Sequence, residues 1–159
     1  MTRHDLDSLR GQAAAVRAGA VTPEDLVRRA LARIAETDGD LHAWTVVDGD
    51  RALAEARSIA ARLAAGETPG PLAGTPVGIK DIIDVEGLPT RCGSAVHAHA
   101  GPATADADVV SRLRAAGAIV IGKTVTQEFA AGVLSPPAPA PAGPGSAAPA
   151  GPDPPPAMG

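Results

Sequence analysis

Aromatic side chains are almost missing from this sequence of 159 residues. They make up 1% of it, as Trp44 and Phe129, and tyrosine is absent. A core must therefore be built from Ala, Leu, Val and Ile, which bury less area per residue, and small domains are already short of burial. Cys92 is the single cysteine, so an intrachain disulfide is excluded and nothing points to an oxidising compartment. No basic stripe stands out. The formal net charge is -4 and both signs are interspersed, so nucleic acid is not an expected partner. No run approaches the ~20 apolar residues of a membrane span, so no membrane partner is expected either. Residues 1–7 lead into no apolar stretch of the secretory kind. A cytoplasmic protein is the expectation.

Two regions differ in composition. Residues 134–159 hold 10 of the chain's 16 prolines, and Asp153 is the one charged residue among them. Proline fixes φ and removes a backbone donor, so neither helix nor sheet propagates there. This tail reads as disordered, with polyproline II character. Residues 1–133 instead carry helix and strand periodicity, and form the expected domain.

Within that domain Leu6, Leu9, Ala13 and Val16 share one helical face, and Gly19 ends the segment. Thr22 caps a second helix, with Pro23 at its first position and Glu24 and Asp25 in its first turn. Residues 41–47 read as a short strand. Asp48 or Asp50 caps a third helix, closed by Gly66. The β-branched stretch 77–85 predicts a buried strand, and residues 90–104 a loop. Thr104 or Asp106 caps a helix ended by Gly117. Residues 118–121 form an all-apolar strand, and Thr126 caps a last helix starting at Gln127. The order is three helices, then strand, helix, strand. An α/β fold follows, with a helical lead-in and a mixed or parallel sheet. Two such strands do not close a core, so the chain looks like the beginning of a larger α/β domain.

Lys80 lies within Leu72-Ala73-Gly74-Thr75-Pro76-Val77-Gly78-Ile79-Lys80-Asp81. Spacing alone suits a strand-end lysine with its ammonium in water. The alternative is a lysine held among apolar strand residues, where burial disfavours the ammonium and frees the amine to act as a base. The stretch resembles the lysine motif of the amidase-signature family. Further segments match that family in order. They are Gly87-Leu88-Pro89-Thr90 with Cys92-Gly93-Ser94, then Asp108-Val109-Val110 with Leu113, then residues 116–124, then Glu128-Phe129-Ala130. The likeness runs from about residue 5 to about residue 132.

The resemblance implies hydrolysis of a carboxamide C–N bond in a small-molecule amide, with no metal or other cofactor. A serine attacks the carbonyl, a second serine on a cis peptide bond relays its proton, and the lysine accepts it. Backbone N–H groups in a glycine-rich turn hold the oxyanion. Lys80 matches that lysine. Ser94 is implied to shape the site near it, and Asp81 either orients Lys80 or caps a turn. The serine half has no match. Gly145-Ser146-Ala147 lacks the paired glycines and paired serines of the family's loop, and the nucleophile's position falls beyond residue 159. The expectation is a chain with the base and without its serines, inactive by itself. A reading-frame shift near Gly132 in GC-rich DNA would give such a tail, and a genuine linker is the alternative. Open strand edges would favour self-association.

Other patterns have plainer readings. Residues 117–124 satisfy the phosphate-loop pattern G-x-x-x-x-G-K-[ST], yet a helix precedes Gly117 and the intervening residues are β-branched. Lys123 is therefore expected at a strand end or buried in a structural role. His97 and His99 lack a third metal ligand and suit a solvent-exposed loop. Cys92 lacks a basic partner beyond Arg91. Ser94, His97 and Asp106 make a triad only on paper. A noncatalytic interaction module using the proline-rich tail is the remaining class, weakened by the lack of flanking basic residues.

Overall fold

The structure, a computed structural model, describes residues 6–68 and 70–132. The proline-rich tail lies outside the described residues. Four helices and three strands follow in the order α1 Leu9–Arg17, α2 Pro23–Leu41, β1 Trp44–Val47, α3 Gly49–Ala64, β2 Pro76–Lys80, α4 Asp108–Ala115 and β3 Ile119–Thr124. Single 3-10 turns form at Ala95–His97 and Glu128–Ala130.

Local chemistry sets the helix starts. The Thr22 hydroxyl accepts the Asp25 N–H at 3.1 Å, while the Asp25 carboxylate accepts the Thr22 N–H at 3.2 Å and the Thr22 hydroxyl at 2.6 Å. This is a reciprocal capping box with proline next to the cap. Asp48 caps α3 by accepting the Arg51 N–H at 3.2 Å. Gly66, at φ +81°, takes the left-handed turn after α3.

The sheet is mixed, in the order β1-β3-β2. β3 is central. It runs parallel to β2, with α4 in the crossover, and antiparallel to β1. Ile119 and Ile121 of β3 pack with Val27, Ala52, Ala56 and Ile59 of α2 and α3. On the other face Val120 joins Ile79, Val85, Leu88 and Val110. A third, smaller cluster ties Val16 and Leu26 to Ala73. Alanines take the place of absent aromatics: Ala52 and Ala56 are fully buried, which lets α3 lie close on the sheet.

One irregularity shapes everything near the strand ends. Val77 pairs with Val120, but the next residue, Gly78, pairs with Gly122, so one step along β2 matches two along β3. A β-bulge of this kind resets the alternation of faces. Strict alternation would send Lys123 to the Ile119 and Ile121 face. The bulge instead pairs it with Ile79, on the Val120 face.

Several expectations are corrected. The strand at 77–85 ends at Lys80, because the Lys80 carbonyl accepts the N–H groups of Ile82 and Ile83, at 2.8 and 3.0 Å, and turns the chain. Neither Thr104 nor Asp106 caps α4. Its cap is Ala107, without a side-chain bond, and the Asp106 carboxylate accepts the Glu86 N–H at 2.8 Å. No helix starts at Gln127. Phe129 and Ala130 take φ of 48° and 57°, which limits that segment to one turn, and the Thr126 hydroxyl donates to the Gln127 carbonyl.

Two outcomes test this reading. Thr22→Ala should lower stability by about 1 kcal/mol at neutral pH in urea denaturation. The Thr22 hydroxyl and N–H hold the Asp25 carboxyl below its ordinary 3.8. A carboxyl lowered by folding contributes stability above that value and loses it as pH falls further. The difference between the two proteins should therefore shrink below pH 3.8. Gly122→Ala should be far more damaging, because its Cβ would stand against the Val46 carbonyl. Loss of a cooperative thermal transition in that variant would be the sign, and near-native stability would sink the assigned β1–β3 pairing.

Candidate active site

Lys80 is the last residue of β2, paired with Thr124 of β3. Ile79 points into the Val85 and Val110 cluster, so Lys80 stands on the opposite face together with Gly78. Gly78 has no room for a side chain: a Cβ there would lie 2.8 Å from the Trp44 ring and 2.9 Å from the Thr124 methyl. The Trp44 ring and Thr124 thus lie against the backbone beside Lys80. The Lys80 side chain is exposed. Among the described residues it makes no ion pair or hydrogen bond. The apolar enclosure considered for it is not found there, and its placement is that of a strand-end lysine reaching water.

Asp81 turns the other way and is buried, at 1% exposure. Its backbone is fixed twice. The N–H donates to the Thr124 carbonyl and the carbonyl accepts the Cys92 N–H, both at 2.9 Å. Its Oδ1 accepts the Arg91 N–H at 3.3 Å and lies 2.9 Å from Nζ of Lys123. Lys123 is fully buried. It also donates to the Thr90 hydroxyl at 2.8 Å and the Pro89 carbonyl at 3.1 Å. All three ammonium donors are thereby used. Oδ2 of Asp81 has no donor among the described residues. Lys80 and Lys123 are the chain's two lysines, one exposed and one buried.

Ser94 is buried in the following loop. Its hydroxyl donates to Oε1 of Glu128 at 2.7 Å and accepts the Val96 N–H at 3.3 Å. The Phe129 N–H donates to the Cys92 carbonyl at 2.8 Å, so the Glu128 turn is laced to the Cys92–Ser94 segment. Gly93 is required: φ is +62°, and a Cβ would collide with the Thr126 carbonyl. Cys92, Phe129 and Ala130 adopt positive φ without being glycine. Such residues are strained, and three of the four in the described chain sit in this one pair of segments.

The structure therefore joins Lys80, Asp81 and Ser94 through backbone bonds. Other candidates fall elsewhere. His97 and His99 are exposed, and the His97 ring meets Phe129 edge-on at 5.6 Å. The Ser94, His97 and Asp106 triad is not assembled, since Ser94 is bonded to Glu128 and Asp106 lies 2.9 Å from Arg114 Nε. Residues 119–124 of the phosphate-loop pattern form β3, and its lysine is buried. Sequence reasoning left Lys123 without a partner. A lysine in an apolar strand demands a buried carboxylate, and the acids of the apolar stretch 77–85 are Asp81 and Asp84.

Comparison with known proteins bears on the family of the chain. The Amidase family model matches residues 25–139. A glutamyl-tRNA(Gln) amidotransferase subunit of Acidothermus cellulolyticus is 47% identical over 120 residues, which are 76% of this chain and 24% of that protein. AtzE, from the 1-carboxybiuret hydrolase of a Pseudomonas species, is 43% identical over 117 residues, 74% of this chain and 26% of that protein. The peptide amidase of Stenotrophomonas maltophilia superposes with a TM-score of 0.70 at 34% identity, over 77% of this chain and 25% of its own. The chain thus spans about a quarter of the length of these relatives. The matched stretch holds the greater part of the chain, with Lys80, Asp81, Ser94 and the whole sheet inside it, and the chain belongs to the amidase-signature family.

Proposed function

We propose that this chain supplies the lysine half of a carboxamide hydrolase. In that reading Lys80 is the base. Its amine takes the proton that a serine nucleophile gives up, by way of a second serine, as the nucleophile attacks the amide carbonyl. It returns the proton to the leaving amine when the C–N bond breaks. The placement of Lys80 carries the reading. A strand end fixes its backbone, no described side chain occupies its amine, and it lies in the family's matched stretch. Asp81 and Ser94 support it by fixing the turn that leaves Lys80 and the loop that follows.

Residues 1–159 contain no Gly-Gly-Ser-Ser loop. On this reading the nucleophile, the relay and the oxyanion donors are not among these residues. These residues alone are expected to turn over no amide.

A graft tests the assignment. Residues 71–94 of this chain would replace the corresponding stretch of the Stenotrophomonas maltophilia peptide amidase. The chimera should keep measurable turnover, and Lys80→Ala within it should lower kcat by about a thousandfold or more. A folded chimera whose turnover survives Lys80→Ala would remove Lys80 from the base role. Amide hydrolysis by the chain itself, lost in Lys80→Ala, would overturn the proposal that the serine half lies elsewhere.

A further inference from the structure

Among the described residues, the Lys123–Asp81 ion pair, on the far face of the strand from Lys80, is the buried charged group that the proposed reaction leaves unused. Asp81 is joined to Lys80 by a peptide bond, and its carboxylate is excluded from water. Left alone, that anion would be an unpaired buried charge one residue from Lys80, and a buried charge is little screened. Lys123 stands 2.9 Å from it and is itself fully buried. Packing alone gives no reason for a charged pair here: aliphatic side chains of similar volume serve a core as well or better. Lys123 reaches this place because the β3 bulge turns it from the Ile121 face to the Ile79 face. There it bonds Pro89 and Thr90 as well, and so ties down the loop that leaves Lys80.

We infer that Lys123 is a positioning residue for Lys80. It neutralises Asp81, so that no net charge is buried beside the Lys80 backbone, and it locks the turn at the end of β2. The inference deepens the reading of Lys80 as the base and takes its functional meaning from it.

The lysine content makes the test direct. Lys80 is the exposed lysine, so an amine-acylating ester followed by peptide mass spectrometry reads its free-amine reactivity at one fixed pH near neutrality. The proteins compared are the full chain, Asp81→Asn, Lys123→Met, the double variant, and Thr90→Val. Near-UV circular dichroism of Trp44 and a thermal transition report folding.

Asp81→Asn removes the anion and leaves the Lys123 ammonium held by the Thr90 hydroxyl and the Pro89 carbonyl, and should raise the Lys80 acylation rate about fivefold, the size of a roughly 1 kcal/mol charge interaction. Lys123→Met leaves the anion and should lower the rate by a similar factor. The double variant should return to within about twofold of the parent. Thr90→Val removes one hydrogen bond and no charge, and should leave the rate alone. A purely structural role would give changes that follow loss of the folded signal, with no opposition of sign. If Lys123→Met does not fold, Asp81→Asn against the double variant decides, because both keep a neutral residue 81. Folded single variants that differ from the parent by less than twofold, or move the same way, overturn the inference. Loss of the graft's dependence on Lys80 together with the expected acylation pattern would sink the hydrolase reading and leave the charge relation standing.

Discussion

The contact between Lys123 and Asp81 decides how the strand ends are built. Removing two charges from water costs several kcal/mol per ion before any return. Here the return comes from the attraction at 2.9 Å and from hydrogen bonds to the Thr90 hydroxyl and the Pro89 carbonyl. One acceptor, on Asp81, lies where the loop leaves β2, and the other two, on the adjacent residues Pro89 and Thr90, lie farther along it. A single ammonium holding all three specifies where that loop passes, which an aliphatic side chain would not. The Cys92 N–H then bonds the Asp81 carbonyl, and the Phe129 N–H bonds the Cys92 carbonyl. Fixing Asp81 thus fixes the position of Ser94 and, through it, of Glu128.

The bulge is what makes that contact possible, and it has its own requirements. Gly122 must be glycine because the Val46 carbonyl occupies the place of its Cβ. Gly78 must be glycine because the Trp44 ring and the Thr124 methyl lie against it. The chain's one tryptophan is spent beside the Lys80 strand rather than at the centre of the core. The centre is left to Ala52, Ala56, Ile119 and Ile121. Of the exposed large apolar side chains among the described residues, Ile82, Val96 and Phe129 belong to segments that carry or flank the candidate site, while Leu9, Leu41, Val47 and Val109 lie elsewhere.

Features set by neighbours in sequence could be read without coordinates. Thr22-Pro23-Glu24-Asp25 and Asp48 announce helix starts because a cap is a bond over three residues. An α/β fold with a mixed or parallel sheet also followed from pattern, as did a strand at 118–121, although the observed β3 runs from Ile119 on to Thr124. What escaped depends on distant partners. The end of β2 is not visible in residues 77–85, all of which suit a strand, because a bond from the Asp81 N–H to Thr124 and the turn at Lys80 decide it. The face of Lys123 escaped because alternation predicts the wrong side once a bulge intervenes. Thr126 and Gln127 read as a helix start, yet the bond from Phe129 to Cys92 draws the chain into left-handed turns instead. For Lys80 the plain reading of a strand-end lysine matches its exposed place at the end of β2, and the chemical role proposed for it rests on family membership.

A lysine serves as a base near neutral pH only where its ammonium is disfavoured, and two means exist: removing water, and arranging charge. The described residues divide these means unequally. Water reaches Lys80, so nothing among them supplies desolvation. Charge is arranged with care, since the one carboxylate attached to the lysine's own peptide bond is buried, turned to the opposite face and paired with a cation. A carboxylate left in solvent at position 81 could swing toward Lys80 and pair with it. Burying it removes that option, and Lys123 removes the field that burial would otherwise strengthen. On this view the base site is built in two layers. The described residues build a buried, paired floor on the far face of β2, and if Lys80 is the proposed base, the cover over its amine is not among them.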